Sequence, residues 1–89
     1  MERYRLSNAA SADLDQLYLY GILNFGIDQA NRYAQKLVEC FANIANNPRA
    51  FREVSEIRPG YRRCVFKAHA IYFQIVDDKI LVVRILGNQ

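Results

Sequence analysis

The hydrophobic period of this chain changes once, and that change constrains its fold more tightly than any other feature. Ala10, Leu14, Leu17, Gly21 and Phe25 recur at spacings of three and four, as do Ala30, Tyr33, Ala34, Leu37, Val38, Phe41, Ile44 and Ala45. Such spacing lines one side of a helix. After Asn47-Pro48 the pattern becomes short β-branched and aromatic runs, Tyr61 to Phe66, Ala70 to Val76 and Ile80 to Leu86. Those runs suit strands, and the polar breaks Lys67-Ala68 and Asp77-Asp78-Lys79 suit hairpin turns.

Local signals mark the ends of the two helices. Ser7 or Asn8 can cap the first by accepting from an exposed amide, Asp13 and Asp15 favour its early turns through the dipole, and Gly26 can supply a left-handed residue after its end. The second helix starts behind Asp28 and ends by Asn47, because Pro48 disfavours helical geometry at the residue before it. So short a link makes the pair an antiparallel hairpin. Arg3 to Leu6 is a short N-terminal strand, and Asn47 to Gly60, which holds both prolines, is an irregular crossing.

The order strand, helix, helix, three strands implies an α+β domain: an N-terminal strand, an antiparallel two-helix hairpin and a three-stranded antiparallel meander, with the helices packed on one sheet face. With 89 residues there is room for one domain, 1–89. Taking two residues for the first turn and three for the second puts Cys64, Ile71, Phe73, Ile75, Leu81, Val83 and Ile85 on the core face. The same register puts Tyr61, Arg63, Tyr72, Gln74 and Arg84 on the opposite face.

Charge is divided unevenly. Residues 1–48 carry four basic and five acidic side chains, whereas 49–89 carry eight basic and four acidic ones. Arg49, Arg52, Arg58, Arg62, Arg63 and Lys67 oppose only Glu53 and Glu56, so the crossing segment and first meander strand form a basic region. Arginine outnumbers lysine nine to three, which favours bidentate capture of carboxylate or phosphate. Three readings stay open for this region: a solvated edge protected from aggregation, a surface for a carboxylate-rich protein, and a surface for a nucleic-acid backbone.

The chemical candidates are sparse. Cys40 and Cys64 lack Cys-x-x-Cys spacing, and one histidine cannot complete a metal set with them, so no metal, cofactor or disulfide is expected. Cys64 and Cys40 read as small core hydrophobes, His69 as a turn-stabilising, half-buried histidine, and Tyr18, Tyr20 and Tyr33 as packing residues with wet hydroxyls. An endonuclease acting on RNA could draw on His69, Tyr72, Arg63 and Arg84 for proton transfer and phosphate stabilisation. There is no Gly-rich phosphate loop, Gly-x-Ser-x-Gly or His-Glu-x-x-His. Gln74, Asp77 and Arg84 interrupt the apolar runs well short of a membrane span, and Met-Glu-Arg-Tyr lacks the apolar core of a signal peptide, so a cytoplasmic protein is expected.

Tyr4-Arg5-Leu6-Ser7, Asp13-Leu14, Phe25-Gly26, Asn47-Pro48, Glu56-Ile57-Arg58-Pro59-Gly60-Tyr61-Arg62-Arg63-Cys64, His69-Ala70-Ile71-Tyr72-Phe73 and Val83-Arg84-Ile85-Leu86-Gly87 follow one another in an order that resembles the ParE toxins of the ParDE toxin–antitoxin systems, within the RelE/ParE superfamily. The resemblance covers nearly the whole chain. It implies a bacterial toxin that acts on DNA gyrase and blocks replication, performs no chemistry of its own, and is neutralised by a ParD-type antitoxin in a hetero-oligomer. The alternative it carries is a ribosome-dependent messenger RNA endonuclease of the RelE kind. That branch uses residues close to the C-terminus, where this sequence reads Gly87-Asn88-Gln89.

On this resemblance Arg58, Tyr61, Arg63, Tyr72 and Arg84 are the expected target-binding residues, and Arg58, Arg62, Arg63 and Arg84 the expected antitoxin-binding residues. No catalytic residue, direct sequence-specific binding to nucleic acid, or membrane contact is expected. A disordered acidic and apolar antitoxin tail would fold on binding, and the free toxin should expose an apolar groove that the complex covers.

Overall fold

The computed structural model describes residues 3–87, so Met1-Glu2 and Asn88-Gln89, with the expectations that fall on them, lie outside the described residues. Strand β1 (Tyr4–Leu6) is followed by helices α1 (Asn8–Phe25) and α2 (Ile27–Asn46), a 3-10 turn (Pro48–Ala50), β2 (Arg52–Glu53), β3 (Arg62–Phe66), β4 (His69–Val76) and β5 (Lys79–Gly87). The expected order of strand, helical hairpin and meander is present. The sheet has five strands in the order β1-β5-β4-β3-β2, with β1 parallel to β5 and the other pairs antiparallel. The crossing segment, expected to be irregular, contributes β2 at one edge.

Helix ends follow the local chemistry. Ser7 caps α1, its Oγ accepting from the Ala10 N–H at 3.0 Å, and the same hydroxyl donates to the Val83 carbonyl at 2.9 Å. Gly26 alone links the helices: its N–H donates to Ile22 O, and its carbonyl accepts from Ala30 N–H. At φ +89° and ψ 162° it occupies a region reserved for glycine. A Cβ at Gly21 would lie 3.2 Å from the Ala30 Cβ, so the missing side chain lets the two helices close on each other.

Helix α2 is the amphipathic one and buries Ala30, Leu37, Phe41 and Ile44. They meet Ile71, Phe73, Ile80, Val82 and Ile85 from the sheet, with Ala10 completing the cluster. Helix α1 buries only Ala10 and leaves Leu19, Tyr20 and Leu23 on its outer side, the last 76% exposed.

One expectation about register is corrected. Leu81 and Val83 are not core residues; Ile80 and Val82 are buried in their place. The second turn has two residues, Asp77 and Asp78, both with positive φ (51° and 63°), and Val76 pairs directly with Lys79. Aspartate tolerates this left-handed geometry, which matches the strand twist of a tight hairpin. The extra residue is in the strand instead: Tyr72 pairs with Arg84 but Phe73 with Val82, leaving Val83 as a bulge. Beyond the bulge the expected register returns, and Ile85 is buried as anticipated.

Candidate interaction surfaces

The helices cover one sheet face and leave the other bare. Strand register places Arg52, Arg63, Tyr72 and Arg84 in a single row across β2, β3, β4 and β5 on that bare face. At a strand spacing of about 4.8 Å the row spans roughly 14 Å. Tyr61, which precedes β3, falls on the same side by alternation; it and Tyr72 are half-buried and neither packs against the core cluster. Arg58 is exposed in the loop that precedes Tyr61, whose N–H donates to the Arg58 carbonyl. Thus Arg63, Tyr72 and Arg84 are brought together as expected, with Tyr61 beside them and Arg58 at the margin.

Arg62 departs from this group. It pairs with Phe73, which puts it on the helix-facing side, and its Nη1 donates to the Phe51 carbonyl at 2.8 Å. The guanidinium ties the crossing segment to β3, reinforced by the Val54 N–H donating to Tyr61 O. Two neighbouring arginines in the sequence therefore serve opposite faces.

Arg84 is already partnered. β1 pairs with β5 only as far as Val82, so the outer edge of β5 beyond it lacks a strand neighbour. Asp13 fills the gap from α1: its Oδ2 accepts from the Ile85 N–H at 2.9 Å and from Arg84 Nε at 2.7 Å, while its Oδ1 accepts from Arg84 Nη2 at 3.0 Å. The Arg84 hydrogen bonds hold the Asp13 carboxyl below its ordinary pKa against the opposing effect of burial, and the Ile85 N–H adds to them. Asp13 lies beyond the first turn of α1, so its carboxylate serves β5 and not, as expected, the helix dipole. Nothing local could have announced a contact across 71 positions.

A groove of about 1010 Å³ runs between the helical hairpin and the end of β5, lined by Leu17, Tyr20, Phe25, Tyr33, His69 and Leu86 among others. His69 sits beside the first hairpin turn, paired with Phe66, as the sequence indicated. Its Nδ1 is 2.6 Å from the Tyr33 hydroxyl, joining α2 to β4, and burial lowers its pKa. Burial likewise raises the Tyr33 phenol, against a hydrogen bond from the Ala68 backbone. His69 thus faces the helices, whereas Arg63 and Tyr72 face away from them. Cys40 and Cys64 are free, half-buried thiols packed against the core, and burial raises both. Among the described residues no cluster of three metal-binding side chains occurs, and no helix is long and apolar enough to cross a membrane.

Comparison with known proteins gives the class. A family model described as the ParE toxin of the type II toxin-antitoxin system, parDE, matches residues 4–89, which makes this a toxin of the type II toxin–antitoxin class. The chain belongs to the ParE family. It is 35% identical over 86 residues to Toxin ParE1 of Caulobacter vibrioides, covering 97% of this chain and 88% of that protein. It is 36% identical over 88 residues to Toxin ParE1 of Mycobacterium tuberculosis, covering 98% and 90%, respectively. A solved structure described as a chromosomal ParDE TA system from P. aeruginosa shares the fold, with a TM-score of 0.86 over 100% of this chain and 98% of that one at 21% identity.

Proposed function

We propose that this toxin inhibits DNA gyrase, blocking replication in the bacterial cytoplasm, and that a ParD-type antitoxin neutralises it by forming a hetero-oligomer with it. The observation that carries the reading is the match to the ParE family over residues 4–89. The division of the surface supports it. The bare sheet face offers Tyr61, Arg63, Tyr72 and Arg84 to a target, with Arg58 at its margin, combining charge, aromatic area and accessibility of the kind that anchors protein interfaces. The apolar groove between hairpin and sheet fits the apolar side of an amphipathic antitoxin segment, and such a segment would have to wrap from the hairpin around to the bare sheet face to pair its carboxylates with Arg58 and Arg63. Arg84 and Arg62 suit that second role less well, because Asp13 and the Phe51 carbonyl already occupy their guanidinium groups.

The toxin acts here by binding. Its target is held by side chains on a rigid sheet, and no step of the proposed inhibition requires a group on this chain to transfer a proton. The alternative is a RelE-like endonuclease acting on messenger RNA at the ribosome. It would need to draw proton transfer from the row of Arg63, Tyr72 and Arg84 without His69, which is hydrogen-bonded to Tyr33 on the opposite side of the sheet.

Titrating purified toxin into a gyrase supercoiling and DNA-cleavage assay, with and without the antitoxin, tests the reading. Antitoxin-reversible loss of supercoiling or trapping of cleaved DNA is expected. Cleaved messenger RNA in a parallel ribosome assay, with supercoiling untouched, would replace it with the endonuclease.

A further inference from the structure

The charge asymmetry of the sequence becomes a charged face in three dimensions. Besides Arg52, Arg63 and Arg84, the register puts Arg5 of β1 beside Leu81 and Lys79 of β5 beside Val76 on the bare side of the sheet. Five cations thus share one face. The acidic strand residue in the described sheet, Glu53, pairs with Arg62 and belongs to the other side. Two of the five are answered from outside the face: Arg84 by Asp13, and Arg52 by Glu56 at 3.1 Å, a pair whose side chains are both more than half exposed. Among the described residues no carboxylate lies within ion-pair distance of Arg5, Arg63 or Lys79. On the far side of the sheet, helix α1 carries Asp13 and Asp15 and no basic residue, and in α2 Arg32 and Lys36 are matched in number by Asp28 and Glu39. The molecule therefore has a basic face set against a helical layer that does not share its charge.

The apolar content of this face is also distinctive. Tyr72 stands at the centre of the arginine row and Tyr61 beside Arg63. Flat rings on β4 and just before β3, flanked by arginines about one strand spacing away, form a stacking platform inside a polyanion-binding surface. A carboxylate-rich peptide would use the charge and leave the rings without a flat partner. A duplex would use the charge too, but its bases are stacked on one another and cannot lie on the rings. Single-stranded nucleic acid uses both.

We infer that the bare sheet face binds single-stranded DNA without sequence preference, with Arg5, Arg63 and Lys79 engaging phosphates and Tyr72 and Tyr61 stacking on bases. The inference shares its face with the proposed gyrase contact and chooses DNA over RNA on the strength of that reading, since the target proposed there works on DNA. It needs no base-edge recognition, so it is compatible with the absence of sequence-specific binding. It also gives the target site a second component: the toxin would favour the target when unpaired DNA lies next to the protein contact.

The test is fluorescence anisotropy of a labelled ten-nucleotide oligo-dT titrated with the purified chain, with no gyrase present. Saturable binding is expected at low salt, weakening as salt rises, with log affinity falling by roughly 0.7 per tenfold increase in salt for each phosphate engaged, or about 2 for three. Arg63→Glu combined with Lys79→Glu should lower affinity at least tenfold and flatten that slope. Tyr72→Ala should lower affinity roughly 5- to 150-fold while leaving the slope unchanged, and Tyr72→Phe should retain binding. Lys36→Glu on α2 should change nothing, which separates this face from net charge. Arg5→Ala, at the opposite edge of the sheet, gives an independent reading should the double reversal fail to fold.

Absence of binding at low salt would overturn the inference, as would binding indifferent to Arg63, Lys79 and Tyr72. Equal competition by polyglutamate would reassign the face to an acidic protein, equal affinity for duplex would remove the stacking platform, and a tenfold preference for oligo-U would reassign the face to RNA. Because gyrase is absent, failure here leaves supercoiling inhibition to stand or fall on its own assay.

Discussion

Asp13 and Arg84, 71 positions apart, meet in a two-pronged ion pair at the point where strand β1 stops covering the edge of β5. The same carboxylate accepts the Ile85 N–H, a backbone donor that a longer β1 would otherwise have satisfied. With the Ser7 hydroxyl on the Val83 carbonyl, two side chains from the start of α1 complete a strand edge that the main chain leaves open. The geometry stabilises the helix–sheet junction and fixes the direction in which Arg84 projects.

Removing that carboxylate should therefore cost more than an exposed ion pair is worth. Asp13→Ala leaves the half-buried Ile85 N–H unsatisfied, a penalty of about 1–3 kcal/mol. Arg84→Ala keeps that bond and should cost less, because the side chain is about half exposed and solvent screens its ion pair. Urea denaturation of the two variants checks the order; equal losses would show that the ion pair, not the backbone contact, carries the effect.

Asp13 and His69 also set the response to acid. The Asp13 carboxyl titrates lower in the folded chain than its ordinary 3.8, so its contribution is present above that value and is lost as pH falls through the folded pKa. The His69 pKa is lowered by burial, so the unfolded chain binds the proton first and stability declines as pH drops below about 6.5. Denaturation midpoints from pH 8 to pH 2 should fall in two stages. His69→Gln should remove the upper stage and Asp13→Asn should shrink the lower, which Glu56, also held below its ordinary pKa, shares.

The single-residue link between the helices makes Gly26 irreplaceable on conformational grounds. A Cβ there meets no neighbouring atom, yet φ +89° with ψ 162° is a region other residues avoid. Gly26→Ala should destabilise the chain by about 1–3 kcal/mol through backbone strain alone. Thermal unfolding measures it, and an unchanged midpoint would mean that the link relaxes into another geometry.

Adjacent arginines should separate binding from folding. Arg63→Glu reverses a charge on the bare face and is expected to abolish growth inhibition while leaving the unfolding midpoint nearly unchanged. Arg62→Ala releases the Phe51 carbonyl and should lower stability by about 1.5–3 kcal/mol, the worth of a hydrogen bond to a charged group. Growth assays beside denaturation curves distinguish the two, and growth inhibition that survives Arg63→Glu with Arg84→Glu would remove the sheet face from the target site.

Much of this was legible in the order of the residues. Ser7, Gly26 and Pro48 act on their immediate neighbours, and the change from helical to alternating period is a local property, so both helices and the meander could be read from sequence. The face of Arg63, Tyr72 and Arg84 was legible too, because from Tyr72↔Arg84 and Ile71↔Ile85 onward, away from the second turn, the β4–β5 pairing agrees with the expected register. Leu81 and Val83 were misplaced because the same extra residue can be spent in a turn or in a bulge. Local pattern does not separate those choices; the two left-handed aspartates at the turn do.

What the sequence determined by itself is therefore what short-range chemistry controls: element types, caps, the hairpin link, the basic half of the chain and, through its motifs, the family. Only the tertiary structure decided which arginines are available. Arg62 and Arg63 are neighbours in the chain, yet alternation along β3 sends one to the Phe51 carbonyl and the other to the bare sheet face, and Arg84 is held by a carboxylate 71 residues away. Pairings across such separations depend on where the edge of a sheet ends, and an edge exists only once the strands have assembled.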